Sequence, residues 1–215
     1  MKISPRYNAT HWIELKLTTT SSKEDWKEAI NIFDNRYSYR FIKQIDTLRF
    51  NSSNQTRIYS GFVIMSINCL LMETLNQFYY GVDDTDELKK DKNIKHINSI
   101  EDSFIDFLTS SKYFNSVFDK ESSSLFYHHI RCGLLHQAKT KKSSLIHINE
   151  NQKEIVQKIY DGKKITGVAI RRDLFTDALI EEYKDYKKRL LQQSADEKLH
   201  KNFITKMDLI CNENK

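Results

Sequence analysis

Breakers are scarce in this chain: it has one proline and five glycines in 215 residues. Segments without breakers run on as helices, so the sequence predicts a mostly α protein. Cysteine is scarce too. Cys69, Cys132 and Cys211 are far apart and form no CxxC pair. That excludes a disulfide framework and a four-cysteine zinc site, and it fits a reducing compartment. No long apolar run is present. The greasiest stretch, GFVIMSINCLLM at 61–72, is too short to span a bilayer and carries Ser66 and Asn68. The first residues, MKISPRYNATHWIELKL, lack the apolar core of a signal peptide. The expectation is a cytoplasmic protein with no membrane partner.

Hydrophobic residues make up 39% and charged residues 29%, a globular rather than a disordered balance. The formal net charge is +5, and it is unevenly spread. Residues 1–130 hold 16 Lys+Arg against 17 Asp+Glu, whereas residues 131–215 hold 18 against 12. A polyanionic partner such as RNA or DNA becomes a candidate, and so does an ordinary solvated lysine surface.

Hydrophobic spacing divides the chain. Ser22 and Asp25 make a helix-start pair. From there Trp26, Ile30, Phe33, Tyr37, Phe41, Ile45 and Leu48 form one stripe, predicting a helix over 24–49. Residues 51–55 read as a loop. Residues 56–80 are apolar nearly all round, the mark of a central buried helix, and Gly81 closes it. Residues 82–93 read as a polar connector. A third helix is expected at about 100–118 and a fourth at 122–138. SSLIHI and KKITGVAI, within about 144–170, predict a small strand pair. Helical spacing returns over 171–193 and 195–211. The expected layout is a single domain over 1–215. It has a four-helix core at about 24–140, a small β element, and additional C-terminal helices at about 171–211.

Residues 126–142, FYHHIRCGLLHQAKTKK, concentrate the candidate chemistry. Arg131 and His136 form R-x4-H, with Lys139, Lys141 and Lys142 following. Five α-helical residues turn the chain by about 500°, leaving the two side chains roughly 140° apart. One helix does not place them side by side. Two copies about a two-fold axis can gather both pairs into one cleft. By themselves the residues also fit a structural reading, an arginine and a histidine bonded to carbonyls or a carboxylate near a helix end. Cys132 shares a helical face with His128 and His136, a possible metal face, but no carboxylate or further cysteine nearby completes it. Glu73, in the apolar second helix, either orients Arg131 or His136 or faces solvent at a helix edge. His128 and His129 either touch a substrate or cap the apolar face. The lysines either hold phosphates or solubilise the surface.

The motif RCGLLH, late in the fourth helix and preceded by a long first helix and an apolar second one, resembles the HEPN domain family. The resemblance covers roughly residues 24–140. It implies a HEPN-like helical bundle that dimerises, and a metal-independent endoribonuclease of a toxin or anti-phage defence system. Arg131 and His136 would be catalytic, with Glu73 supporting, and no cofactor or metal would be needed. Partners would be RNA and an antitoxin or defence protein. Other members lack the motif and act as binding modules for RNA, nucleotide or protein. This chain departs from the active pattern at Cys132, where active members often carry a polar residue. It also has Ala138 where toxins controlled by tyrosine nucleotidylation have tyrosine.

Overall fold

A computed structural model describes residues 1–90, 94, 96–192 and 197–212. The N-terminal hook leads into α1, Ala9–Leu15, which sequence reading does not anticipate. Asn8 caps it through the His11 backbone N–H. Next comes α2, Lys23–Tyr37, opened by the expected capping box: Asp25 N–H donates to Ser22 Oγ, and Ser22 N–H donates to Asp25 Oδ2. The predicted helix over 24–49 is not uniform. A π-helical turn, Ser38–Ile42, separates α2 from α3, Lys43–Arg49. None of its five residues is buried. The wider turn relaxes the tight packing that an unbroken apolar stripe implies.

The second predicted helix is divided at Ser60 into α4, Asn54–Tyr59, and α5, Gly61–Tyr80. Gly81 closes α5 in the left-handed region, as expected. The polar connector contains one short turn, α6, Thr85–Leu88; its residues 91–93 lie outside those described. The third predicted helix is shorter than its spacing suggests. Helix α7 is Ile100–Ser110, and the chain turns at Ser111, yet Phe114 and Phe118 still reach the core. The fourth is α8, Lys120–Leu125, then a second π-helical stretch, Phe126–Arg131, then α9, Cys132–Gln137.

The β element is three-stranded rather than a pair. Strand β1, Leu145–His147, lies parallel to β3, Lys164–Arg171, with Ile146 opposite Ile170. Strand β2, Val156–Asp161, pairs antiparallel with β3 on its other side. The missed strand belongs to a hairpin whose turn begins at Gly162, held at φ +60°, a conformation that costs glycine little. The Asp161-Gly162 dipeptide is the signal for it in the sequence. Helices α10, Arg172–Leu191, and α11, Glu197–Asn212, complete the order. The chain is therefore mostly helical with a small sheet.

One hydrophobic cluster runs from Ile3 to Cys211. Its centre is a knot of rings from four helices: Phe33, Phe78, Tyr183, Tyr186 and Phe203, with Phe33–Phe78 centroids 4.9 Å apart. A second ring group, Phe114, Phe118, Phe126 and Phe175, ties the end of α7 and the π stretch to α10. Each fully buried Phe contributes roughly 2–3 kcal/mol of burial energy. The tail helix docks on this body through Phe203 and Met207, and Trp12 Nε1–H donates to Asp208 at 2.7 Å.

Two buried arginines anchor the start of α10. Arg172, 2% exposed, donates to Arg57 O at 2.6 Å and to Asp173 at 2.9 Å. Arg49 reaches Asp173 at 3.3 Å and Asp177 at 2.7 Å. Asp173 therefore serves two cations that are both shielded from water. Removing one partner of a buried pair strands the other charge, at a cost of about 3–5 kcal/mol. Here each arginine keeps a second acceptor, so Asp173→Ala is expected to lower unfolding stability by about 2 kcal/mol. Asp177→Ala, at the exposed end, is expected to cost under about 1 kcal/mol. Urea unfolding midpoints of the two variants check the order.

Among the described residues no helix is long and apolar enough to cross a membrane. The cysteines Cys69 and Cys211 are buried, and burial pushes their thiols up to about 12 and about 11, so both are protonated at neutral pH.

Candidate functional site

The second π stretch ends on Arg131, and α9 then carries the motif to His136. A π stretch shifts every later side chain around the helix axis, and such stretches often occur at functional sites. Here it sets the side of the helix on which Arg131 emerges, facing α5.

Glu73, in the middle of α5, meets it. Arg131 donates from a terminal guanidinium nitrogen to Glu73 Oε2 at 3.2 Å. The other carboxylate oxygen accepts from Thr85 Oγ1 at 3.0 Å, and Gln77 Nε2–H donates to Thr85 Oγ1 at 3.2 Å. Glu73 therefore bonds to Arg131 and is 17% exposed. The guanidinium stands near the faces of Phe104 and Tyr127, 5.7 and 5.6 Å from the ring centroids. Burial acts to lower the Arg131 pKa, but the Glu73 carboxylate outweighs it, and the charge is held more firmly than in water. Its Nε–H is buried and finds no acceptor among the described residues. Burial, with Cys132 alongside, pushes the Tyr127 hydroxyl up to about 12, so that ring is neutral beside the cation.

His136 lies elsewhere on the helix. It is exposed in the last turn of α9, next to Leu135, which is 41% exposed. Among the described residues no hydrogen bond or ion pair joins Arg131 to His136. This is the divergence that five α-helical residues dictate.

After His136 the chain folds back. Ala138 takes the left-handed conformation at φ 49°, and its N–H donates to Leu134 O. Lys141 N–H then donates to His129 O at 2.9 Å. The return passes so close to the helix that a Cβ on Gly133 would sit 2.4 Å from Lys139 O. Only glycine fits there. Lys139 and Lys142 are exposed on this loop, and Lys141 is half-buried.

The other histidines separate. His128 is half exposed, with Nε2 3.0 Å from Glu101 Oε2. His129 is 4% exposed, and its Nδ1 lies 2.9 Å from Ser144 Oγ. Burial, then the charges of Lys142, His128 and Lys141, lower its pKa, leaving it neutral at pH 7. It fastens the lysine loop to the helix and offers no free ring edge to a ligand. Arg171 and Arg172, a second basic pair in the sequence, are equally committed. Arg171 donates to Gln152 O at 2.5 Å, and Arg172 is buried as described.

Sequence reasoning missed Thr85, Phe104 and Tyr127. Thr85 lies in a polar connector with no periodicity to place it, and the two rings read only as core. Among the described residues no three of His, Cys, Asp and Glu converge as metal ligands. A half-open pocket of about 400 Å³ between α5, α7, α10 and α11 is lined by Tyr79, Phe107 and Glu182 and contains neither motif residue.

The arrangement supplies a fixed, permanently charged planar donor and an exposed imidazole, followed by lysines. It suits an anionic substrate that needs proton transfer. No family model, curated protein or solved structure matches this chain.

Proposed function

We propose that this protein is a HEPN-type, metal-independent endoribonuclease that acts as a homodimer in a toxin or anti-phage defence system. The observation that carries the reading is the Glu73–Arg131 contact. It holds a half-buried guanidinium at the end of a π stretch, with His136 exposed further along the same helix.

The chemistry follows from the groups. The ribose 2′-hydroxyl of RNA attacks the adjacent phosphorus, and the bond from phosphorus to the 5′ oxygen breaks. The products are a 2′,3′-cyclic phosphate and a 5′-hydroxyl. A His136 ring takes the proton from the 2′-hydroxyl, and a protonated ring gives one to the departing oxygen. Arg131 binds the extra negative charge of the transition state with its planar donors. DNA lacks the 2′-hydroxyl and is not cut. Lys139, Lys141 and Lys142 hold the backbone.

An apolar stripe supports the dimer. Tyr59, Phe62, Val63 and Leu70 are all between 40% and 77% exposed along α4 and α5, although the sequence pattern predicts burial on every side. All-round hydrophobicity does not distinguish a core helix from one that presents a face to another copy. Leu70 stands three positions before Glu73, on the same face, so the stripe runs into the site. A two-fold contact there brings two such sites together.

The competing reading is a dimeric binding module without chemistry. Its specific support is that Glu73 already partners Arg131, as a structural strut would. Incubation with total RNA in EDTA separates the two. Cleavage that survives chelation and leaves 2′,3′-cyclic ends is expected. Activity abolished by EDTA and restored by Mg²⁺ or Mn²⁺ would overturn the ribonuclease mechanism.

A further inference from the structure

A second positive surface lies away from the motif, around the N-terminal hook. Residues 1–8 fold tightly: Ala9 N–H donates to Met1 O at 2.8 Å, and Ile3 N–H donates to Tyr7 O at 3.1 Å. Ile3 is fully buried. Helix α2 pins the hook from below, where Arg36 donates to Ile3 O at 2.9 Å and Asn35 Oδ1 accepts from Arg6 N–H at 3.1 Å. The backbone that carries Lys2 and Arg6 is therefore fixed against α2.

Two open grooves flank this hook, of about 470 and 530 Å³, and share Lys2 and Pro5. Among the described residues no carboxylate lines either one. Arg6, Tyr7 and His11 line the first; Tyr39 and Arg40 line the second. Lys2, Arg6 and Arg40 are exposed. Tyr39 and Arg40 come from the first π-helical turn, which buries none of its residues and so presents them outward. Lys43 Nζ stands 3.5 Å from the centre of the Tyr39 ring and adds charge to the same edge. Burial lowers the Arg40 pKa, and the neighbouring Arg36 charge lowers it further. Glu28, on α2, is engaged at the Tyr7 hydroxyl.

Exposed cations in grooves with no lining carboxylate, set beside tyrosine rings, suit a strand that alternates phosphate and flat base. A duplex keeps its bases stacked on one another, so the rings favour a single strand over a duplex. We propose that the two grooves around Lys2, Arg6, Tyr39 and Arg40 are a docking surface for single-stranded RNA, gripping its phosphates at a distance in sequence from the Arg131/His136 motif. The proposal takes from the functional reading that RNA is what the protein binds.

The test compares Lys2→Gln/Arg6→Gln/Arg40→Gln with its parent, both in a His136→Ala background so that nothing is cut. A labelled oligouridylate is titrated at several salt concentrations. Single-strand binding loses about 0.7 in the log–log salt slope per phosphate contact, so the triple variant is expected to lose about 2. Its affinity at low salt is expected to fall at least about tenfold. With His136 restored, cleavage of a dinucleotide too short to reach the grooves is expected to stay unchanged. The three side chains are exposed, and a matched thermal melt confirms the fold. Tyr39→Ala, which keeps every charge, is expected to weaken binding with the slope preserved. Unchanged affinity and slope in the triple variant overturn the proposal. So does a loss seen with phosphatidylserine vesicles but not with RNA. If the wild type cuts no RNA while the triple variant still loses affinity and slope, the ribonuclease reading fails and the docking surface stands.

Discussion

His136→Ala is expected to reduce RNA cleavage by about 10²–10⁴-fold, the usual worth of general acid–base catalysis. The fold should hardly change, because the ring is exposed and makes no hydrogen bond among the described residues. Arg131 needs a different design. Arg131→Ala would also strand the Glu73 carboxylate, which is only 17% exposed, and so confuse stability with catalysis. Arg131→Lys keeps the charge beside Glu73 but loses the planar fork. It is expected to lower the rate by about 10²–10³-fold with a modest change in melting temperature. Rates come from initial cleavage of a labelled RNA in EDTA, and stability from thermal melts of the same preparations. Full activity in His136→Ala would remove the histidine from the mechanism.

The second large effect concerns assembly. Val63→Asp and Leu70→Asp each place a charge in the exposed stripe on α5, where Val63 is 53% and Leu70 is 46% exposed. A monomer tolerates such changes, since these side chains already face water. A dimer does not, because each copy buries an unpaired carboxylate against its symmetry mate. Light scattering on an eluting column is expected to show a dimer for the wild type and a monomer for both variants. Cleavage is expected to fall by at least about 10²-fold, because the two motif residues diverge on one helix and the shared cleft is lost. Mixing inactive Arg131→Lys with inactive His136→Ala adds an independent readout. Recovery of part of the activity marks a composite site. A wild type that is monomeric and fully active rules out the shared cleft.

How far the sequence carries can be traced residue by residue. The Ser22/Asp25 pair and the Trp26–Phe33–Tyr37 stripe placed α2 well, because capping and periodicity are local. Gly81 ended α5 for the same reason. The breaks were not legible. Phe41 and Ile45 keep helical spacing across the π turn at 38–42, since a stripe records which residues are apolar and not how tightly the backbone is wound. Helix α1 escaped notice because seven residues give too little periodicity to read. At the site, the Glu73–Arg131 contact joins positions 58 apart, and one unpaired acid in an apolar helix was its only trace. Thr85 left none. The basic hook vanished into an average. Residues 1–49 hold nine Lys+Arg against six Asp+Glu, but the acidic stretch that follows offsets them in any count over 1–130.

The last described helix has a consequence for synthesis. Phe203 of α11 sits among Phe33, Phe78 and Trp26, and Trp12 of α1 touches both Phe203 and Asp208. The ring knot therefore stays open until α11 has emerged from the ribosome. Arg131 and His136 are made about 70 residues earlier than Phe203. While the rest is being translated, α5 lacks its cover, and Glu73 has no rigid base from which to hold the guanidinium. Contacts so distant in sequence form late. On the ribonuclease reading, the Arg131 guanidinium would thus be fixed in place only once α11 has been made.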